Sequence, residues 1–205
     1  NIKPGIVTVS LGTSGTAYTF MKKPYVDQDG EIACFCDSTG HYLPLLCVSN
    51  MANGYNDFLR IHSLSHTQFD ELIAFTVPGN KGNLLIPWFE GERTPDLPQA
   101  APLYFGFKQG DFNQKNMARA LLEGHVHNLY DGFRKLPAKP AIIHLTGGLA
   151  QSPSWCQAIA NIFDCETVPV EGEGAAMGAA LHAAWIWKMD QGYDARKHYK
   201  KKPLN

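Results

Sequence analysis

An α/β fold, one domain built on a mixed sheet, is predicted by three observations. Three short β-type runs lead the chain, a long middle section carries helical periodicity, and the last third alternates strand with helix. Ile6 to Leu11 and Thr16 to Phe20 are apolar, β-branched runs joined by the small residues Gly12-Thr13-Ser14-Gly15, which is the pattern of a hairpin. A third strand, 31–37, follows the turn Asp27-Gln28-Asp29-Gly30. From Pro44 to Ile61 the residues Leu45, Leu46, Val48, Met51, Ala52, Tyr55, Phe58 and Leu59 recur near the helical period, so the stretch reads as one helix. A shorter helix is expected over 68–76, and Leu84-Leu85-Ile86 reads as a buried strand. A polar, proline-rich passage then runs through Gln99, and Gln114 to Leu136 carries another helical stripe.

In the last third, Ala141-Ile142-Ile143-His144-Leu145 is a continuous apolar strand of the kind covered on both faces, ending at Thr146-Gly147-Gly148. Ser152-Pro153 starts a helix with a hydroxyl at the N-cap and proline at the first helical position, and the helix runs to about Phe163. Thr167 to Val170 is a strand, and Gly174 to Lys188 is an alanine-rich helix whose small residues permit close packing. The order is β-β-β-α-(α)-β-α-β-α, without a repeat of solenoid length. Residues 1–190 form the folded domain and 191–205 a basic tail.

Composition narrows the class. Hydrophobic residues make up 44% and charged residues 18% of the 205, as in soluble globular proteins. With 18 basic against 19 acidic residues, no global field recruits nucleic acid or a membrane surface. The biased stretch Arg196-Lys197-His198-Tyr199-Lys200-Lys201-Lys202 reads as a solvated tail. Five cysteines, an odd number on apparently buried segments, read as reduced core residues and imply a cytoplasmic location. Cys34-x-Cys36 lacks metal-type spacing, the eight histidines form no ligand pattern, and no metal site is expected. No apolar run has the length of a membrane span. The start, Asn1-Ile2-Lys3-Pro4-Gly5, has neither a signal-peptide core nor an initiator methionine, so the chain is expected to be a fragment or a processed piece.

The turn Gly12-Thr13-Ser14-Gly15 carries the strongest chemical signal. Successive N–H groups of a tight turn converge into an anion nest, and glycine lets backbone approach a phosphate without a Cβ in the way. An ordinary hairpin turn is the alternative. Gly91-Glu92-Arg93-Thr94-Pro95, dense in charge, glycine and proline, suggests a loop of defined geometry, in which Arg93 pairs with Glu90 or Glu92 or contacts something outside it.

Five motifs occur in one order: Leu11-Gly12-Thr13-Ser14-Gly15, Gly91-Glu92-Arg93-Thr94-Pro95, Thr146-Gly147-Gly148, Ser152-x-x-Trp155 and Gly174-x-x-x-Gly178-Ala179-Ala180. Over residues 5–190 this resembles the carboxy-terminal domain of the FGGY carbohydrate kinases, members of the actin-like ATPase (ribonuclease H-like) superfamily, and among them the xylulokinases most. Tyr104-Phe105-Gly106-Phe107 followed by Asn116-Met117 and Ala120-Leu121-Leu122-Glu123 approximates the family's C-terminal signature. It departs at Phe107 and Leu121, and Leu149 stands where many sugar kinases carry a third glycine.

The resemblance implies ATP with Mg2+ as cofactors and a set of roles. Gly12, Thr13, Ser14 and Gly15 would form the second of two phosphate-binding hairpins. Gly147 and Gly148, ending a strand, would leave a slot for the adenosine, in line with ligands sitting at the carboxyl ends of strands; a structural turn explains the same glycines. Ser152 would serve as a polar nucleotide contact, as a helix cap, or as both. Asn53 and Asp57, one turn apart, match positions bordering the nucleotide, with plain helix polarity as the alternative. Glu92, Arg93 and Thr94 would face the cleft between domains. The catalytic base, an aspartate expected just upstream of Asn1, and the first hairpin, metal-anchoring acid and most sugar contacts belong to an N-terminal domain absent here. The expected function is therefore the nucleotide-binding half of a kinase that phosphorylates a ketopentose such as D-xylulose to its 5-phosphate, inactive in isolation. Other family substrates (glycerol, gluconate, ribulose, a heptulose), a non-catalytic nucleotide-sensing module, and a homodimer surface on the first hairpin and last helix stay open. The expected partners are ATP or ADP and the sugar.

Overall fold

β1 (Ile6–Leu11) and β2 (Gly15–Thr19) form the expected antiparallel hairpin. Leu11 pairs with Gly15, so the turn is three residues, Gly12 to Ser14, and Gly15 already belongs to the strand. The structure, a computed structural model, describes residues 3–136, 138–170 and 174–192. β3 (Ile32–Cys36) and β4 (Tyr42–Val48) come next, and β4 corrects the helix expected from Pro44. Pro44, Leu46 and Val48 are buried on one face and Leu43, Leu45 and Cys47 half-buried on the other, so apolar residues fill both faces and the unbroken run imitates a helical stripe. Pro44 pairs with Cys34 of β3 and has no partner in the register of β2, which suits a residue lacking an N–H. The helix proper, α1 (Ala52–His62), begins only after this strand.

α2 (His66–Ala74) starts from a capping box in which Ser65 and Gln68 exchange hydrogen bonds. β5 (Leu84–Ile86) pairs with β6 (Leu103–Phe105), a strand not expected from the sequence because three residues are too few to show a period. α3 (Gln114–Phe133), β7 (Ile142–Thr146), α4 (Pro153–Phe163) and β8 (Thr167–Pro169) follow close to their expected positions. Residues 1–170 form one compact unit. The second, 171–205, contains α5 (Gly174–Asp190), and the basic tail from 193 onward lies outside the described residues.

The main sheet runs β3-β4-β2-β1-β7-β8, antiparallel as far as β1 and parallel through β7 and β8. Val7, Val9 and Leu11 of β1, Ala17 of β2, Leu46 and Val48 of β4, and Ile143 and Leu145 of β7 are buried. Ile142, His144 and Thr146 of β7 are half-buried, so that strand is fully covered on one face only. All five cysteines are free, as expected, but none belongs to the buried core: Cys34 and Cys36 are exposed, because β3 is the sheet's edge and buries only Ile32, and Cys47, Cys156 and Cys165 are half-buried. Among the described residues, no helix is long and apolar enough to cross a membrane.

α3 carries the core's most consequential polar residue. His125 is fully buried, its Nδ1 donates to the Leu121 carbonyl at 2.7 Å, and its ring stacks against Phe89. Burial pulls its pKa down to about 4, with the Leu121 carbonyl and the Glu92 charge pulling the other way. The unfolded chain takes up this proton near pH 6.5 while the folded chain stays neutral almost to pH 4. Stability is therefore complete above pH 6.5 and falls by roughly 2–4 kcal/mol as the pH drops toward 4. Urea midpoints at pH 7.5 and 5.0 should show this loss, and His125→Phe should flatten it.

Candidate nucleotide-binding cleft

The site follows from two neighbouring strands that point the same way. β1 and β7 are parallel, and Ser10 opposite Thr146 is their last pair, so the chain leaves both at one edge of the sheet. The turn Gly12 to Ser14 follows one strand and Gly147-Gly148 the other, at the carboxyl end where α/β sheets place ligands. Gly147 has φ +90°, and a Cβ there would stand 2.6 Å from the Leu11 carbonyl oxygen and 3.0 Å from its nitrogen. Only glycine lets the two turns touch. Above Gly12 and Gly148 the space is open: a Cβ on Gly12 would meet one atom, at 3.6 Å, and one on Gly148 none within 4 Å.

Between them lies a cavity of about 490 Å³. The hairpin contributes Leu11, Gly12 and Thr13, and the segment after β7 contributes Gly148, Leu149, Gln151 and Ser152. Its other wall is helical, with Ala52, Tyr55 and Asn56 from α1 and His66, Thr67 and Asp70 from α2. The turn is tied to that wall, since the Ala52 N–H donates to the Gly12 carbonyl at 3.0 Å.

Ser152 both caps its helix and lines the cavity. Its hydroxyl accepts from the Trp155 N–H at 3.4 Å and donates to Asp70 Oδ1 at 2.6 Å. Tyr55, fully buried, shares a 2.8 Å hydrogen bond with His66 Nδ1, and burial with the nearby Asp70 charge pushes its phenol up to about 12.

Other expected residues lie elsewhere. Gly15 is buried, and a Cβ would press on Met51 at 2.6 Å and Val48 at 2.8 Å, so core packing alone requires glycine there. Ser14 is exposed at the hairpin tip and is not part of the lining. Asn53 Oδ1 accepts from the Met51 N–H at 3.0 Å and supports the start of α1. Asp57 is exposed and pairs with Arg60 at 3.1 Å. Neither lines the cavity; Asn56, between them on the same helix, does.

The 91–95 loop has defined geometry, by a route different from the expected ion pair. Glu92 is buried: Oε1 accepts from the Ser49 N–H at 2.5 Å and the Arg93 N–H at 2.7 Å, and Oε2 from Asn50 at 3.1 Å and Asn128 at 2.8 Å. Thr94 is buried and donates to the Cys47 carbonyl at 3.0 Å. Among the described residues Arg93 pairs with neither Glu90 nor Glu92; its exposed side chain lies beside the Cys47 thiol.

Tyr55, Asn56, His66, Thr67, Asp70 and Gln151 were not singled out in the sequence. The signal for part of them was available: Ser65 three residues before Gln68 is a capping box, which starts α2 at His66 and sets His66 and Asp70 on one face.

Comparison with known proteins gives this geometry a lineage. The sequence profile of the FGGY family of carbohydrate kinases, C-terminal domain, matches residues 7–187. The chain belongs to that family. A xylulose kinase of Haemophilus influenzae is 36% identical over 189 residues, covering 90% of this chain and 38% of the relative. A gluconokinase of Bacillus subtilis is 29% identical over 216 residues, 95% of this chain and 41% of the relative. The crystal structure of xylulose kinase from Bifidobacterium adolescentis superposes with a TM-score of 0.79 at 33% identity, covering 91% of this chain and 38% of that one. The FGGY domain described here therefore has the actin-like ATPase fold, and it spans about two fifths of the length of these kinases.

Proposed function

We propose that this FGGY domain holds ATP in the cleft between its two glycine turns and, joined to the rest of the kinase, phosphorylates a ketopentose such as D-xylulose at its 5-hydroxyl. The observation that carries the reading is the contact of Gly147 with the Leu11 backbone, which sets two turns with open Cα atoms around one cavity. Backbone N–H groups of Gly12 and Thr13 and the Thr13 hydroxyl are the donors for the terminal phosphates, and hydrogen bonds to such charged groups are roughly twice as strong as neutral ones. The slot beside Gly148 takes the nucleoside.

Mg2+ neutralises phosphate charge when bound. The lining residues place no carboxyl on the hairpin, and among the described residues no three His, Cys, Asp or Glu gather to hold a metal, so this domain meets the ion through the nucleotide. By the family resemblance, the base that takes the sugar hydroxyl's proton comes from the remainder of the kinase. Similarity to the gluconokinase of Bacillus subtilis supports gluconate as a second substrate reading.

The test is ADP release by the full-length protein on D-xylulose, D-ribulose, gluconate and glycerol. Highest kcat/KM on D-xylulose is the expected result, and no ATP-dependent turnover on any of the four overturns the reading. Residues 1–205 alone should bind ATP without turnover; phosphorylation by this piece would place the base within it.

A further inference from the structure

The cavity is chemically lopsided. Its lining residues include one carboxyl group, that of Asp70, and neither lysine nor arginine. Oδ1 of Asp70 is held by the Ser152 hydroxyl at 2.6 Å, and that hydroxyl is itself fixed by the Trp155 N–H. Oδ2 takes no hydrogen bond from the described residues. The Tyr55 hydroxyl shares its hydrogen bond with His66, and among the described residues Ser152 is the side chain that donates to Asp70. The high pKa of Tyr55, raised by burial and by the charge of Asp70, keeps that hydroxyl protonated.

A fixed, half-buried carboxyl oxygen facing a cleft suits a ligand group that donates a hydrogen bond, and it repels phosphate at close range. The triphosphate therefore lies against the hairpin, and the donor must come from the nucleoside, whose neutral donors are the ribose hydroxyls and the amino group of the base. We infer that Asp70, positioned by Ser152, accepts a hydrogen bond from one of these groups and so decides which nucleoside triphosphate the cleft takes. This rests on the nucleotide reading above.

The test is titration calorimetry of the full-length protein with ATP, 2′-deoxy-ATP, 3′-deoxy-ATP and ITP, in which a carbonyl replaces the amino group of the base. Wild type, Asp70→Asn and Ser152→Ala are compared. In Asp70→Asn the Ser152 hydroxyl still reaches the amide oxygen, so the NH2 group turns toward the ligand's donor. Wild type should bind one analogue about tenfold or more weaker than ATP, in line with a hydrogen bond to a charged group. The analogue that loses affinity names the group: a deoxy sugar for a ribose hydroxyl, ITP for the base. In Asp70→Asn, ATP should fall to within twofold of that analogue, and Ser152→Ala, which releases the carboxyl without removing it, should show an intermediate ratio.

Wild type that distinguishes none of the analogues overturns the inference, as does Asp70→Asn with the wild-type ratios. Should Asp70→Asn not fold, an unchanged ratio in Ser152→Ala overturns it equally. Wild type that binds no ATP overturns the nucleotide cleft itself, a failure distinct from the others.

Discussion

Replacing Glu92 by alanine is expected to lower the free energy of unfolding by about 3–5 kcal/mol, the range for removing one partner of a buried charged network. The carboxylate is 3% exposed and accepts four hydrogen bonds, from two backbone N–H groups and two buried asparagines. Alanine removes the acceptor of the buried Asn128 amide and one of two acceptors of the buried Asn50 amide, and strips the Ser49 and Arg93 N–H groups of theirs; each unsatisfied buried group costs about 1–3 kcal/mol before relaxation. Glu92→Gln keeps the shape and should cost less, about 1–3 kcal/mol, since its amide sets two N–H donors against partners that also donate. Urea unfolding at pH 7.5 with an unchanged m-value checks both. A loss below 1 kcal/mol in Glu92→Ala would mean that water reaches the site. Because the network joins the end of β4, the loop and α3 through Asn128, the damage should be global rather than confined to the loop.

The second large effect is expected at Gly147. Alanine there is strained twice, by φ +90° and by a Cβ 2.6 Å from the Leu11 carbonyl oxygen. With ψ 172° the backbone lies in a region essentially reserved for glycine, at a cost of about 1–3 kcal/mol, and the overlap, against backbone that cannot rotate aside, adds about 1–3 kcal/mol. The turns part to relieve the contact, so ATP affinity should fall at least tenfold in Gly147→Ala. Gly148→Ala has room for its Cβ against the protein and should keep wild-type stability while weakening ATP, since the methyl group enters the cavity. Thermal unfolding with and without ATP separates the two, and equal ATP affinity in wild type and Gly147→Ala would detach the turn from nucleotide binding.

Much of this arrangement was legible in the sequence where local chemistry and tertiary structure agree. The hairpin reads from β-branched runs around Gly12 to Ser14, and α4 from its Ser152 cap and Pro153, because each signal is confined to a few adjacent residues. The stretch 44–48 reads as a helix because Leu45 and Cys47 are apolar although they face away from buried Pro44, Leu46 and Val48, so the sequence lacks the apolar–polar alternation that marks a strand. β6, three residues long, is specified by its pairing with β5 rather than by its own composition.

The site divides in the same way. Gly12, Thr13 and Gly148 were found because small residues in a turn signal backbone use. Asp70, Asn56 and Gln151 were missed because what places them together is the packing of α1, α2 and the segment between β7 and α4, a long-range fact with no local mark. Glu92 was singled out, yet its partners at 49, 50 and 128 lie far from it in sequence, and a neighbouring charge in Arg93 suggested a simpler pairing.

The close fit of Gly147 on Leu11 also constrains where homologous chains can change length. A residue added within β1 or β7 would carry Leu11 or Gly147 out of register and drive a side chain into backbone, whereas the hairpin tip beyond Leu11 and the exposed stretch between β3 and β4 can lengthen and leave the contact intact.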